Sequence, residues 1–238
     1  MEKSGFASFS TVNFYAGSKL NRLSWLRTSD EFINAALTSD DTRFIILNKL
    51  NPLVHARGER EGFLATLGWK DVEDVIRKSV ELSGGKQAAG GSEFKAFGPQ
   101  VYGLKANEGV EGVEEKDFKK ATDSVGPNSL ALVFLGVDET QVPSRSLPGD
   151  VAGTKKQPAG VPYFGLSISF VPHGLSAAEA EKLPMPAFRK QLEGDEKYDF
   201  TDTRALAFAG KWPKEDAAVV AQARSLIDWN ERNQVSFT

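Results

Sequence analysis

Hydrophobic positions in several stretches of the chain follow the patterns of β-strands. Residues 43–47, RFIIL, form an unbroken β-prone run that is typical of a buried strand. Residues 162–170 alternate instead, which places every second side chain from Phe164 to Phe170 on one face. Residues 63–69 alternate well enough to predict a further strand.

Other stretches carry apolar residues at helical spacing. Residues 30–37 form a candidate short helix, because Ser29 is a favoured N-cap and acidic residues fill the first turn. Residues 71–82 and a long final segment that starts at Pro213 predict two further helices.

Residues 175–188 also begin like a helix, with Ser176 as the candidate cap. Proline lacks an amide proton and clashes with the preceding turn, so we expect Pro184 and Pro186 to end this helix.

Mixed strands and helices in this order favour an α/β (α+β) fold over an all-α or all-β fold. Two segments rich in glycine or proline, residues 83–128 and 139–159, are predicted insertions, the second an extended hairpin loop. The chain thus divides into a flexible N-terminus (1–11), a domain (12–205), and a linker with a C-terminal helix (206–238).

Composition narrows the class of protein. The chain has 238 residues, of which 40% are hydrophobic, so it can bury a sizeable core. Its formal charge of −3 offers no field for non-specific nucleic-acid binding, and no apolar run is long enough for a membrane helix. It has no cysteine and no apolar stretch near its N-terminus. We therefore expect an intracellular, cytoplasmic protein.

The densest chemistry lies in residues 13–27, NFYAGSKLNRLSWLR. An apolar pair runs into Gly17, a residue that accepts a positive φ, and an amide and two arginines follow. This segment resembles the opening signature of the NADH pyrophosphatases, a branch of the Nudix hydrolases. The residues that carry the resemblance are Phe14, Gly17, Leu20, Asn21, Arg22, Ser24 and Arg27.

The resemblance continues along nearly all of the chain, up to Gln234. Residues 130–137 are similar to a family strand that ends in Phe-Leu-Gly, here with Phe134 and Gly136, and residues 160–170 to the strand that follows it. Residues 221–234, with Trp229, are similar to the helix that leads into a zinc ribbon. The resemblance implies a rudimentary Nudix fold, a mixed sheet flanked by helices, truncated before the zinc ribbon and the catalytic Nudix domain.

The family cleaves NAD(H) with water to NMN(H) and AMP, and some members remove NAD caps from RNA. Its complete proteins use Mg²⁺ or Mn²⁺ on Nudix carboxylates, hold structural Zn²⁺ and form homodimers. This chain has no cysteine for zinc, and Gly62 follows Arg60-Glu61 where the Nudix box requires carboxylates. We therefore expect no catalytic, cofactor or metal site here.

The ending at Thr238 has two open explanations. One is an unspliced intron, since Val235-Ser236 can be encoded by a splice-donor sequence, and the other is deliberate truncation. We expect no targeting signal in this chain, whereas some complete relatives end in a peroxisomal address.

Several polar groups allow a functional and a structural interpretation. Arg22 and Arg27 could contact a phosphate or a partner subunit, but we favour bonds that hold the Gly17 turn. His55 and His173 are expected in loops rather than at a metal, and Gly84-Gly85-Lys86 lacks the spacing of a phosphate loop.

Acidic residues between 193 and 202 lack the spacing of a metal loop and predict a solvated surface. Trp25 and Trp229 are expected to anchor packing rather than to stack on a base.

Two functions from different classes follow. The first is a non-catalytic N-terminal domain of an NADH pyrophosphatase-type hydrolase, with a structural or dimerisation role and NAD(H) as the substrate of the complete protein. The alternative is a stand-alone nucleotide-binding or dimerisation module that pairs with itself or with a full-length relative through an apolar strip of Leu226, Ile227 and Trp229. A third, an independent nucleotide hydrolase, would show turnover of NADH.

Overall fold

The computed structural model describes residues 15–27, 29–82, 130–149, 158–171, 175–208 and 212–232. Its strands are β1 (Arg43–Asn48), β2 (Asn51–His55), β3 (Thr66–Leu67), β4 (Ala131–Asp138), β5 (Val161–Ser167) and β6 (Tyr198–Phe200). Its helices are α1 (Asp30–Leu37), α2 (Trp69–Leu82), α3 (Ala177–Ala180), α4 (Pro184–Gly194), α5 (Thr203–Phe208) and α6 (Lys214–Arg232).

The six strands form one mixed sheet in the order β4-β5-β1-β2-β6, with β3 paired to β1. The pair of β1 and β5 is parallel, whereas β4 and β5 are antiparallel, as are β1 and β2 and also β2 and β6. Helices pack on the sheet, so the predicted mixed α/β fold is confirmed.

Alternating side chains of β1 face two separate cores. Phe44 and Ile46 join a core with α1, α2 and α4, while Ile45 and Leu47 join a second core with α6. All four are fully buried. A strand covered on both faces reads as a continuous apolar run, which is why the segment RFIIL was recognisable.

α6 crosses the sheet at a glycine of β5. A Cβ added at Gly165 would lie 3.0 Å from Cδ1 of Ile227, so the missing side chain lets the helix approach closely. Ile227 is fully buried there, and Leu226 is half-buried. The expectation of an exposed apolar strip is therefore wrong for Ile227, which faces the sheet.

The predicted caps of two helices are confirmed. The Ser29 hydroxyl accepts a hydrogen bond from the amide of Phe32 at the start of α1. Ser176 and Glu179 form a reciprocal capping box at the start of α3.

The helix that follows Ser176 ends at Ala180, before Pro184 and Pro186, so the expected end of this helix before the prolines is confirmed. The expectation missed that the two prolines then lie in the first turn of a second helix, α4, where the missing amide protons cost nothing.

The strand predicted over residues 63–69 is shorter than expected. Leu64 bridges to Val54, and only Thr66–Leu67 forms a ladder with β1. The amide of Gly68 then donates to Oδ2 of Asp71 at 2.7 Å, which caps the chain into α2 two residues earlier than predicted. The carboxylate of Asp71 thus caps the start of the helix at Gly68, and the strand ends there.

β2 was not predicted at all, and His55, expected in a loop, is its last residue. β1 and β2 are joined by a two-residue turn in which Lys49 and Leu50 have φ values of 49° and 64°. Positive φ at both positions is the type I′ geometry that usually requires Asn or Gly.

The described part of the second insertion packs onto the domain. Leu147 is buried in the core under α1 and α2. The amide of Ser144 donates to Oδ2 of Asp41 at 2.7 Å, and its hydroxyl donates to the same oxygen at 2.5 Å. β4 and β5, on either side of it, pair antiparallel as a hairpin requires. The first insertion, with Gly84-Gly85-Lys86, lies outside the described residues, as do Phe14 and His173.

Candidate functional site

The signature segment lies against the outer edge of β4. Asn21 and Val137 exchange both backbone hydrogen bonds, with N···O distances of 2.9 and 2.8 Å. Leu20 is buried in the core under α6, while Leu23 and Phe134 are buried in the other core. The segment therefore closes the edge of the sheet and contributes a side chain to each side of it.

Gly136 makes this approach possible. Its φ is 145°, and a Cβ added there would lie 2.7 Å from the carbonyl oxygen of Asn21 and 3.0 Å from Cβ of Leu20. A separation of 2.7 Å is shorter than van der Waals contact, and the atom that would be struck is backbone. Two residues of the signature, Asn21 and Gly136, thus fit each other sterically.

The side chain of Asn21 organises the turn that follows. Its Oδ1 accepts the amide of Leu23 at 3.1 Å, and its Nδ2 donates to Oε1 of Glu139 at 3.0 Å. Leu23 has a φ of 43°, which the Asn21 acceptor and the burial of the leucine side chain favour. The amides of Leu26 and Arg27 then bond back to the carbonyl of Leu23.

The two signature arginines do not take that role among the described residues. Arg22 and Arg27 are exposed, and neither forms an ion pair with a carboxylate that the structure describes. Partial burial lowers the pKa of Arg22, and the positive charge of Arg27 lowers it further. Among the described residues, the side-chain hydrogen bonds that organise this turn come from the amide of Asn21.

The ion pair of this segment involves Lys19. Its Nζ lies 2.7 Å from Oδ2 of Asp138, a carboxylate with no exposed surface at the end of β4. Oδ1 of Asp138 accepts hydrogen bonds from the backbone amide and the hydroxyl of Thr140, and its Oδ2 accepts one from the side-chain amide of Gln141. Burial opposes ionisation of Asp138, but the bonds from Lys19, Thr140 and Gln141 outweigh it and hold the pKa of Asp138 below its usual value.

Lys19 also interacts with the start of α6. Burial raises the pKa of Asp216, in the first turn of that helix, and the positive charges of Lys19 and Arg60 oppose the rise. The Asp138 hydrogen bond in turn raises the pKa of Lys19, against a smaller effect of burial. One ammonium group therefore links the N-terminal segment, the sheet edge and the last helix electrostatically.

The remaining signature residues contribute less to this contact. Gly17 has the predicted positive φ, 87°, but a Cβ there would meet nothing within 4 Å. Ser24 is exposed, and the side chains of Trp25 and Trp229 are 45% and 56% exposed, more than expected of packing anchors. Tyr15, at the start of the segment, donates its hydroxyl to the carbonyl of Thr203 in α5 at 3.4 Å.

A separate cleft lies at the end of β2, near the edge of the sheet opposite β4. It has a volume of about 770 Å³ and is lined by His55, Arg57, Gln191, Gly194, Asp195, Glu196, Lys197 and Tyr198. Burial lowers the pKa of His55, and Arg60 adds to this. Arg57 and Glu196 pair at 2.7 Å but are largely exposed. The charged pair that lines this cleft therefore remains in contact with solvent.

The family's metal ions have no fitting ligands in the part of the chain that the structure describes. No three His, Asp or Glu side chains there converge on a point where they could hold an ion. Asp199 and Asp202 are exposed, and Asp202 bonds instead to the amide of Arg204 at the start of α5. We therefore assign no step to a metal on these residues.

No described helix is both long and apolar enough to cross a bilayer.

Comparison with known proteins identifies what this fold is similar to. A family model described as "NADH pyrophosphatase-like rudimentary NUDIX domain" matches residues 41–229, which is most of the chain and includes Phe134, Gly136 and Trp229. The segment that carries Gly17 to Arg27 precedes the matched range.

A curated relative from Schizosaccharomyces pombe, named "NAD-capped RNA hydrolase", is 41% identical over 130 residues. That alignment covers 54% of this chain and 31% of the relative, so the chain matches about a third of the relative's length.

Proposed function

Because the chain belongs to the family of NADH pyrophosphatase-like rudimentary NUDIX domains, we propose that it acts as a non-catalytic domain of an NADH pyrophosphatase-type hydrolase. Its role is structural: it supplies a folded unit on which the rest of such a protein is arranged. The reaction of the complete protein, cleavage of NAD(H) or removal of NAD caps from RNA, belongs to residues other than these. The name of the fission-yeast relative supports this substrate class.

The proposal rests on the bonding partners of two polar side chains in residues 13–27. Lys19 bonds to a buried carboxylate, and Asn21 bonds to a backbone amide and to Glu139. A catalytic group must keep an atom available for substrate, whereas these atoms have partners inside the domain. The bonds of Lys19 and Asn21 therefore support a structural role for these two side chains.

The sequence supports the same role. The chain has no cysteine for the zinc ribbon, and Arg60-Glu61 is followed by Gly62, Phe63 and Leu64 instead of the Nudix carboxylates. A pyrophosphate needs divalent cations to neutralise its developing charge, and a helix with clustered carboxylates is how Nudix hydrolases hold them.

The experiment is an NADH cleavage assay on the purified chain with Mg²⁺ or Mn²⁺. We expect no release of AMP above the rate with the heat-denatured chain. Metal-dependent release that co-purifies with the folded chain, and is lost with EDTA, would overturn the proposal. A longer relative that carries its Nudix box is the positive control for the assay.

Association with a second copy or with a full-length relative is the finer part of the proposal. Phe208 and Trp229 are large apolar side chains with 90% and 56% exposure, and such groups favour burial against a partner. Sedimentation across a range of concentrations should show a dimer, or a pull-down should retain the full-length relative. A monomer that retains no relative would contradict this part and leave the non-catalytic role in place.

A further inference from the structure

We draw no further inference here: the strongest candidate, the outer edge of β4 between Ala131 and Phe134, has no paired strand among the described residues, and nothing in the structure shows what covers it.

Discussion

The segment from Lys19 to Arg27 presents two faces with opposite properties. Toward the sheet, Lys19 and Asn21 are bonded to Asp138, Val137 and Glu139. Toward solvent, Arg22 and Arg27 carry two guanidiniums without a carboxylate partner among the described residues, and the indole of Trp25 is half-exposed. A short stretch of one chain can thus carry internally bonded side chains and solvent-exposed ones, because neighbouring side chains of a turn point in different directions.

A positive charge alone does not show whether a side chain of this segment stabilises the fold. Lys19 and the two arginines are all cations within nine residues of sequence. Among the described residues, Lys19 alone of these three cations lies opposite a fully buried carboxylate, so we expect the fold to depend most on its charge. Variants on the two faces should therefore differ in their effect on stability, with a large loss on the side toward the sheet and a small one on the side toward solvent.

The largest loss of stability is expected at Gly136. Gly136→Ala would place a Cβ 2.7 Å from the carbonyl oxygen of Asn21, at a residue whose φ is 145°. We expect a loss of about 3 kcal/mol in the free energy of unfolding, from backbone strain and steric overlap. Urea unfolding measures it.

Two other glycines serve as graded controls for that variant. Gly17→Ala meets no atom within 4 Å but has a φ of 87°, so we expect a loss of about 1 kcal/mol. Gly194→Ala meets no atom and needs no positive φ, so it should change stability by less than about 0.5 kcal/mol. Equal effects at Gly136 and Gly194 would show that the N-terminal segment does not lie against β4.

The next effect depends on pH and concerns Asp138. Its pKa is lowered in the folded state, because the bonds from Lys19, Thr140 and Gln141 outweigh burial. A lowered carboxyl pKa stabilises the fold above the unfolded value of about 3.9, and this stabilisation disappears as the pH falls through the folded pKa. We expect Asp138→Asn to cost about 2 kcal/mol at pH 7 and clearly less once the pH has fallen below the lowered pKa of the folded state.

Unfolding of the wild type and Asp138→Asn at several pH values provides the measurement. A cost that stays constant from neutral to acidic pH would contradict an ionised, bonded Asp138. Asp74→Asn is a control, because Asp74 is an exposed carboxylate paired with Lys78.

The smallest effect on stability is expected from Arg22 and Arg27, the exposed arginines of the segment. Arg22→Gln with Arg27→Gln removes two exposed charges that repel each other, so unfolding should change by less than about 0.5 kcal/mol. Urea unfolding at low and moderate salt is the measurement. A loss above about 1 kcal/mol would place these side chains on the structural face and remove the distinction.

The sequence predicted the central elements because their patterns are local. β1 is a continuous apolar run, and the cap of α1 is a single serine before two acidic residues. The sequence did not predict β2, because Lys49 and Leu50 form a type I′ turn without the Asn or Gly that identifies one. The loop expected at His55 was therefore wrong, and tertiary pairing with β6 outweighs the weak turn signal.

The site was predicted less well than the fold. The signature identified Asn21 and Gly136 as important, but their contact joins residues more than a hundred positions apart, which no local pattern shows. Lys19 was missed, since nothing in the sequence marks Asp138 as its buried partner. One signal was present: Asp138 ends a strongly apolar strand, where a carboxylate without a partner would be costly.

A double-mutant cycle on Lys19 and Asp138 tests the central claim that the sheet-facing side of the signature segment stabilises the fold. Urea unfolding of Lys19→Met, Asp138→Asn and the double variant yields the coupling free energy directly. The pair of Lys78 and Asp74 is a matched control, since its N···O distance is also 2.7 Å but both groups are exposed. We predict a coupling of about 1–3 kcal/mol for Lys19 with Asp138 and at most about 0.5 kcal/mol for the control. Equal coupling in the two pairs would contradict the account.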